Sequence, residues 1–283
     1  MRSGRPRYAL VTGGGSGIGR AICLELARQG WTVGVTDINE QGGRETVSLI
    51  KQAGAEAHFS RLDVSSESHW LELRDELQQR WPHLNLVVNN AGVCAGGDLD
   101  ATSVATWDWL HEINLRGAML GCHTMIPWLK KSPGEAYIMN IASIAGLVFA
   151  PRMSLYNSTK AALVALSETL HIELKSSRIG VTAVCPWFSP TNLAKGGQFN
   201  GQADADYANA QMQASGVTPE IIAKTGLRAT LRHQPICVVG LRARFLARLG
   251  RYFPGLLRWL IYNWASNVPS STPVATQEAA VTK

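Results

Sequence analysis

Tyr8-Ala9-Leu10-Val11-Thr12-Gly13-Gly14-Gly15-Ser16-Gly17-Ile18-Gly19 is the stretch on which the fold turns. Tyr8 to Val11 is an apolar run of strand length. Ile18, Ala21, Ile22, Leu24 and Leu26 then recur at helical spacing, so Gly17 to Gln29 is predicted as a helix stopped by Gly30. The glycines between strand and helix let the backbone turn sharply and come close to a pyrophosphate, while the helix N-terminus offers unpaired N–H groups and a positive dipole end. A plain glycine turn is the alternative. The strand before and the helix after favour a phosphate loop, with Gly13, Ser16, Gly17, Ile18 and Gly19 as its contacts.

Downstream the same alternation repeats. Apolar, β-branched runs at 32–36, 57–62, 84–89, 136–141, 181–185 and 235–239 predict strands. Helical patterns fill 40–52, 66–80, 103–131, 155–176 and 218–233, with Pro127 expected to end or bend the fourth helix of the chain and Thr218 and Pro219 to start the last. A β-α repeat of this kind demands a parallel sheet covered on both faces: an α/β, doubly wound sheet of the Rossmann type, about seven strands in a single domain over 1–240. From 187 to 217 the pattern weakens, which predicts a mobile flap. Two short basic helices, broken at Pro254-Gly255, form an extension over 241–265, and the Ser/Thr/Pro/Ala-rich 266–283 reads as a flexible tail.

With 46% hydrophobic and 17% charged residues in 283, a buried core is readily supplied. Five widely spaced cysteines without a C-x-x-C argue against a disulfide framework or a zinc site, and reduced thiols in a cytoplasmic protein are the expectation. Met1 to Arg7 is too short for a secretory signal, and no apolar run is long enough to span a bilayer. The net charge of +6 is local to the C-terminal segment, so no nucleic-acid partner is expected. No metal site is expected either.

Asp37, at the end of the second predicted strand, is placed to accept hydrogen bonds from an adenosine ribose and to repel a 2′-phosphate, which favours NAD over NADP; an ordinary turn aspartate is the other reading. Tyr156 and Lys160 lie four apart and share a helix face. A tyrosine ionises at about pH 10, and a nearby cation favours its phenolate. Such a pair is common on helix surfaces, and Ser143 read singly is a loop serine. Ser143, however, follows the fifth predicted strand, at the sheet edge where open parallel sheets build their sites.

Together these motifs resemble the short-chain dehydrogenase/reductase family over about residues 7 to 240. The resemblance rests on T-G-x-x-x-G-x-G at Thr12 to Gly19, Asp63 after the third strand, and Asn89-Asn90-Ala91-Gly92 after the fourth. Asn114 within His111-Glu112-Ile113-Asn114-Leu115, then Ser143, Tyr156 and Lys160, complete it. The resemblance implies hydride transfer between NAD(H) and an alcohol or ketone. Tyr156 would be the general acid/base, and Lys160 would lower its pKa and bind the nicotinamide ribose. Ser143 would polarise the reacting oxygen, and Asn114 would hold a relay water. Asp63 and Val64 would contact the adenine, and Asn90, Ala91 and Gly92 would support the cofactor wall. A homodimer or homotetramer through helices 103–131 and 155–176 is the usual assembly. A non-catalytic NAD-binding scaffold or regulator on the same fold is the competing reading.

Two features depart from the family. Pro186-Trp187-Phe188-Ser189-Pro190-Thr191 keeps Thr191, a candidate carboxamide contact, but puts Trp187 where the family has glycine, either disturbing the backbone or adding a pocket aromatic. The C-terminal segment from Ile221 to Gln277 carries one lysine and seven arginines and no acidic residue. Amphipathic basic helices of this kind suit a lid over a substrate cleft, a subunit contact or peripheral membrane contact through 241–265. As a lid they would favour a bulky apolar substrate such as a steroid, a retinoid-like molecule or a long-chain alcohol.

Overall fold

The computed structural model describes residues 6–194 and 196–265. The flexible tail expected over 266–283 lies outside them. The strands are β1 (Arg7–Thr12), β2 (Trp31–Asp37), β3 (Ala57–Arg61), β4 (Leu86–Asn89), β5 (Ala95–Gly96), β6 (Ala136–Ile141), β7 (Ile179–Pro186), β8 (Gln198–Phe199) and β9 (Ile236–Val239). The helices are α1 (Gly17–Arg28), α2 (Glu40–Gln52), α3 (Glu67–Arg80), α4 (Val104–His111), α5 (Gly117–Leu129), α6 (Ser154–Glu173), α7 (Gln202–Gln213), α8 (Pro219–Thr230), α9 (Leu241–Tyr252) and α10 (Pro254–Ala265). Seven strands form one parallel sheet in the order β3-β2-β1-β4-β6-β7-β9. This is the doubly wound Rossmann arrangement. The chain winds outward from β1 through β2 to β3, then returns past β1 and winds the other way from β4, so the connections diverge and leave a crevice above the β1/β4 junction.

Successive side chains of a strand point to opposite faces, and the core divides accordingly. Val11 joins Val35, Met139 and Val184 under Ile22 and Leu26 of α1, Ile50 of α2 and Ile222 and Leu227 of α8. Leu10 joins Val87, Ile138 and Val181 under Trp70 and Leu77 of α3 and Met125 and Trp128 of α5. All eight residues of β7 are buried, as a strand covered on both faces requires.

Four expectations need correction. The long helix over 103–131 is two helices joined by a π turn at Glu112–Arg116, a local widening that sequence period does not reveal. Pro127 does not end that helix. It lies in the last turn of α5, where only one backbone bond is forfeited. The segment 187–217 is not all flap: it contains α7 and the two-residue strand β8, which pairs in parallel with β5. The break between the basic helices falls at Phe253, and Pro254 opens α10, where its missing N–H costs nothing. Thr218 caps α8 as expected, accepting from Ile221 N.

Leu26 has no exposed surface and packs between sheet and α8. Leu26→Ala should lower the unfolding free energy by about 2–5 kcal/mol in urea titration, through lost burial plus the residual cavity.

Candidate active site

One cavity of about 1060 Å³ runs along the C-terminal ends of the strands. At its β1 end the wall includes Gly13, Ser16, Gly17 and Ile18. Gly19 lies underneath: a Cβ there would overlap the Gly13 carbonyl, so its role is the close packing of loop on helix. Thr12, which the sequence reading passed over, ties this end together. Its hydroxyl accepts the N–H groups of Asn90 (2.9 Å) and Ala91 (3.0 Å) and donates to Val88 O (3.3 Å). Asn90 Nδ2 returns the contact to Thr12 O at 2.9 Å.

Asp37, at the tip of β2, lines the same cavity. Its carboxylate accepts from Gly15 N at 2.8 Å and Asn39 N at 2.9 Å. Arg20, the nearby cation in α1, is committed elsewhere: it donates to Thr46 Oγ1, Gly15 O and Gly42 O and pairs with Glu45. Asp63 and Val64 form the next part of the wall. The Ser65 hydroxyl and N–H hold the Asp63 carboxyl below its usual range, and Trp70 Nε1 donates to Val64 O at 3.0 Å.

Asn90, Ala91 and Gly92 continue the lining past β4, and Ser143, Tyr156 and Lys160 face them across the cavity. The three functional groups come from different elements. Ser143 follows β6 in extended backbone (φ −169°) and opens a short 3-10 turn; Tyr156 and Lys160 lie in the first two turns of α6, which packs on β7. The Ser143 hydroxyl lies beside the Tyr156 phenol and favours its ionised form. Lys160 Nζ sits 5.7 Å from the Tyr156 ring centre and donates to Ile141 O at 3.0 Å.

The electrostatics differ from the sequence expectation. Burial pushes the Tyr156 phenol above its usual range, with Ser143 pulling the other way, and burial pushes Lys160 down to about 8. Within the polypeptide, desolvation of the phenol outweighs the pull of Ser143, so the neutral phenol is the resting form. Asn114 is 1% exposed and does not line the cavity. It lies in the π turn, accepts from Val93 N at 2.8 Å and donates to Val93 O at 2.9 Å. Its side-chain amide is thus engaged with the backbone of Val93, behind Gly92.

Trp187 keeps its place in the sheet, donating its N–H to Val239 O at 2.9 Å, and its ring lines the cavity edge-on to Phe188. Gly240 accommodates it: at φ +109°, a Cβ on Gly240 would lie 3.1 Å from Trp187 Cβ. Thr191 sits over Gly17, where a Cβ would come within 3.2 Å of Thr191 Cγ2. This bare glycine backbone at a helix N-terminus, with Asp37 farther along the wall, fits a dinucleotide.

The far end of the cavity is mostly apolar, with Asp204 and Gln211 of α7 and Arg152 as its polar members. Met212 and Tyr207 of α7 and Leu257, Leu260, Ile261 and Trp264 of α10 close it, with Leu246 of α9. The sequence offered the 241–265 helices as a lid over a substrate cleft but gave no sign of α7, and Cys94, buried beside Tyr156, carried no sequence signal. Among the described residues no His, Cys, Asp or Glu cluster is suited to a metal ion.

Residues 7–199 match the short chain dehydrogenase family. The chain belongs to the short-chain dehydrogenase/reductase family. It is 37% identical over 189 residues to a cyclopentanol dehydrogenase of Comamonas testosteroni, covering 67% of this chain and 75% of that one. It is 30% identical over 215 residues to a 3beta-hydroxysteroid dehydrogenase of Mediterraneibacter gnavus, covering 75% of each. A crystal structure of a short-chain dehydrogenase/reductase from Burkholderia phymatum in complex with NAD superposes with a TM-score of 0.80 at 26% identity, covering 97% of this chain and all of that one. Membership makes this chain a dehydrogenase/reductase of the alcohol/carbonyl class, in a family that binds NAD(P).

Because Gly240 sits against Trp187, Gly240→Ala should destabilise the dehydrogenase by about 1 kcal/mol or more, through both positive φ and crowding. In a double-mutant cycle by thermal unfolding, Trp187→Gly should relieve the crowding part of that loss.

Proposed function

We propose that this dehydrogenase interconverts a bulky, apolar alcohol and its ketone, with NAD(H) as cofactor. The observation that carries the proposal is the single cavity that joins a bare glycine loop, the Ser143–Tyr156–Lys160 cluster and an apolar wall. In this reading Gly13, Ser16, Gly17 and Ile18 bind the pyrophosphate at the N-terminus of α1, and Asp37 binds the adenosine ribose. Asp63 and Val64 hold the adenine, and Asn90, Ala91, Gly92 and Thr191 flank the nicotinamide half. The bound dinucleotide supplies the hydride acceptor or donor and, when oxidised, a positive charge beside the phenol.

The remaining chemistry belongs to side chains. In ketone reduction the neutral Tyr156 hydroxyl donates its proton to the substrate oxygen, and Ser143 donates a second hydrogen bond to the same atom. In alcohol oxidation Tyr156 takes the proton back. The Lys160 ammonium, held under the ring by Ile141 O, favours the phenolate when it forms and binds the nicotinamide ribose. Asn114 acts as a positioning residue by clamping Val93 behind Gly92.

NAD is favoured over NADP on charge. Asp37 would repel a 2′-phosphate, the residue after it is the exposed, apolar Ile38, and Arg20 is already paired. The apolar wall from α7 and α10 favours ring systems or long chains, and the relatives named for cyclopentanol and a 3beta-hydroxysteroid accord with it. A panel in which only small polar polyols turn over would refute the substrate class. A homodimer or homotetramer through the outer sides of α5 and α6, where Met119 and Ile172 are exposed, belongs to the same proposal.

Tyr156→Phe should lower turnover by about 10²–10⁴-fold while leaving NADH affinity, measured by fluorescence titration, unchanged. Tight NADH binding with no wild-type turnover on any alcohol or ketone would favour the scaffold reading instead. The free enzyme's kcat/KM for ketone reduction should be level below about pH 8 and decline above it, because Lys160 carries its charge below about 8 and loses it above. Wild-type protein should bind NADH at least about tenfold more tightly than NADPH, a difference of about 1.4 kcal/mol, and Asp37→Ser should narrow the gap. Equal wild-type affinities would overturn the cofactor assignment.

A further inference from the structure

The helices α9 and α10 do more than wall the cavity. On α9, Arg244, Arg248 and Arg251 fall on one arc of the helix, and Leu241, Phe245 and Tyr252 on the adjacent arc. The arginine arc faces Arg228 of α8 and Arg232 in the turn that follows it across a second cleft of about 720 Å³. Five guanidinium groups thus line one cleft, and the single carboxylate among its lining residues is Glu168. Arg244 Nε spends one donor on Val238 O. Beyond α9, Phe253 in the link and Trp259 and Tyr262 of α10 also lie open to solvent; Phe245 is 64% exposed, Trp259 60% and Tyr262 73%.

Leu260 and Trp264 both line the cavity and keep 40% and 46% of their area exposed. Trp264 meets Tyr207 of α7 at a ring separation of 6.2 Å, joining α10 to α7 at the rim of the cavity.

We infer that α9 and α10 dock this protein on an anionic lipid bilayer, with the cavity rim between α7 and α10 against the lipid. Basic residues beside exposed aromatics and leucines are what an interfacial helix needs: the apolar arc enters the acyl boundary and the arginines meet anionic headgroups. Charge complementarity selects this occupant over a second copy of the chain. A two-fold contact across this face would bury the arginines of both copies, with Glu168 as the single carboxylate lining each cleft. No helix among the described residues is long and apolar enough to cross a membrane, so the contact is peripheral. The docking stands on charge and exposure and does not depend on the substrate assignment.

The test is co-sedimentation of the full chain with phosphatidylcholine vesicles, with and without phosphatidylserine. Binding is expected to the phosphatidylserine vesicles alone and to weaken steeply with added salt. The triple variant Arg244→Glu/Arg248→Glu/Arg251→Glu should lose about a hundredfold or more in apparent vesicle affinity. Phe245→Ser/Trp259→Ser should also release the protein, and both variants should keep NADH binding and the thermal midpoint. If the triple variant fails those folding controls, the serine pair and the salt titration of wild type decide. Equal binding to both vesicle types, no binding to either, or salt-independent binding overturns the inference. So does a serine pair that dissociates a wild-type oligomer but leaves vesicle binding intact, since the band would then be a subunit interface.

Discussion

Thr12 is the knot on which the site depends. One hydroxyl accepts two backbone N–H groups of the loop after β4 and donates to the end of that strand, and Asn90 closes the loop back onto Thr12 O. The connections leave β1 and β4 in opposite directions, so nothing covers the strand ends between them. The Thr12 hydrogen bonds keep this junction from spreading. They hold the glycine loop at a fixed distance from the Asn90–Gly92 wall, and the cavity inherits its shape from that distance.

The second half of the site is an exercise in buried charge. Lys160 is buried among Gly92, Ile141 and the Tyr156 ring, and donates a hydrogen bond to the Ile141 carbonyl. A cation so placed gives up solvation, and this drives its pKa down toward neutrality. The neighbouring phenol meets the same desolvation and responds in the opposite direction. Two adjacent groups, both pressed toward their neutral forms, leave a proton that small changes in local charge move. That is the requirement for acid/base chemistry that runs in either direction.

At the other end the chain departs from a minimal dinucleotide fold. Trp187 in place of a glycine is tolerated because Gly240 stands against it, so one substitution in the β7 exit is matched by a gap after β9. The chain then continues into α9 and α10, which close the apolar end of the cavity and leave an arginine-lined cleft and an aromatic band outside. Substrate wall and outer surface are therefore two sides of the same helices.

Sequence alone determined the alternation of strands and helices, the glycine turn and the place of Asp37 at a strand end, each by a short-range rule of period or turn chemistry, while Ser143, Tyr156 and Lys160 were set apart by the family resemblance of the motifs taken together. Tertiary structure decided what local rules do not encode. The π turn that directs Asn114 to Val93, the paired strands β5 and β8, and the helix α7 inside an apparently irregular segment all depend on contacts across the fold. So do the direction of the Tyr156 shift and the partnership of Trp187 with Gly240. Burial and close approach are properties of residues far apart in the chain, and a linear reading sees neither until the sheet brings them together.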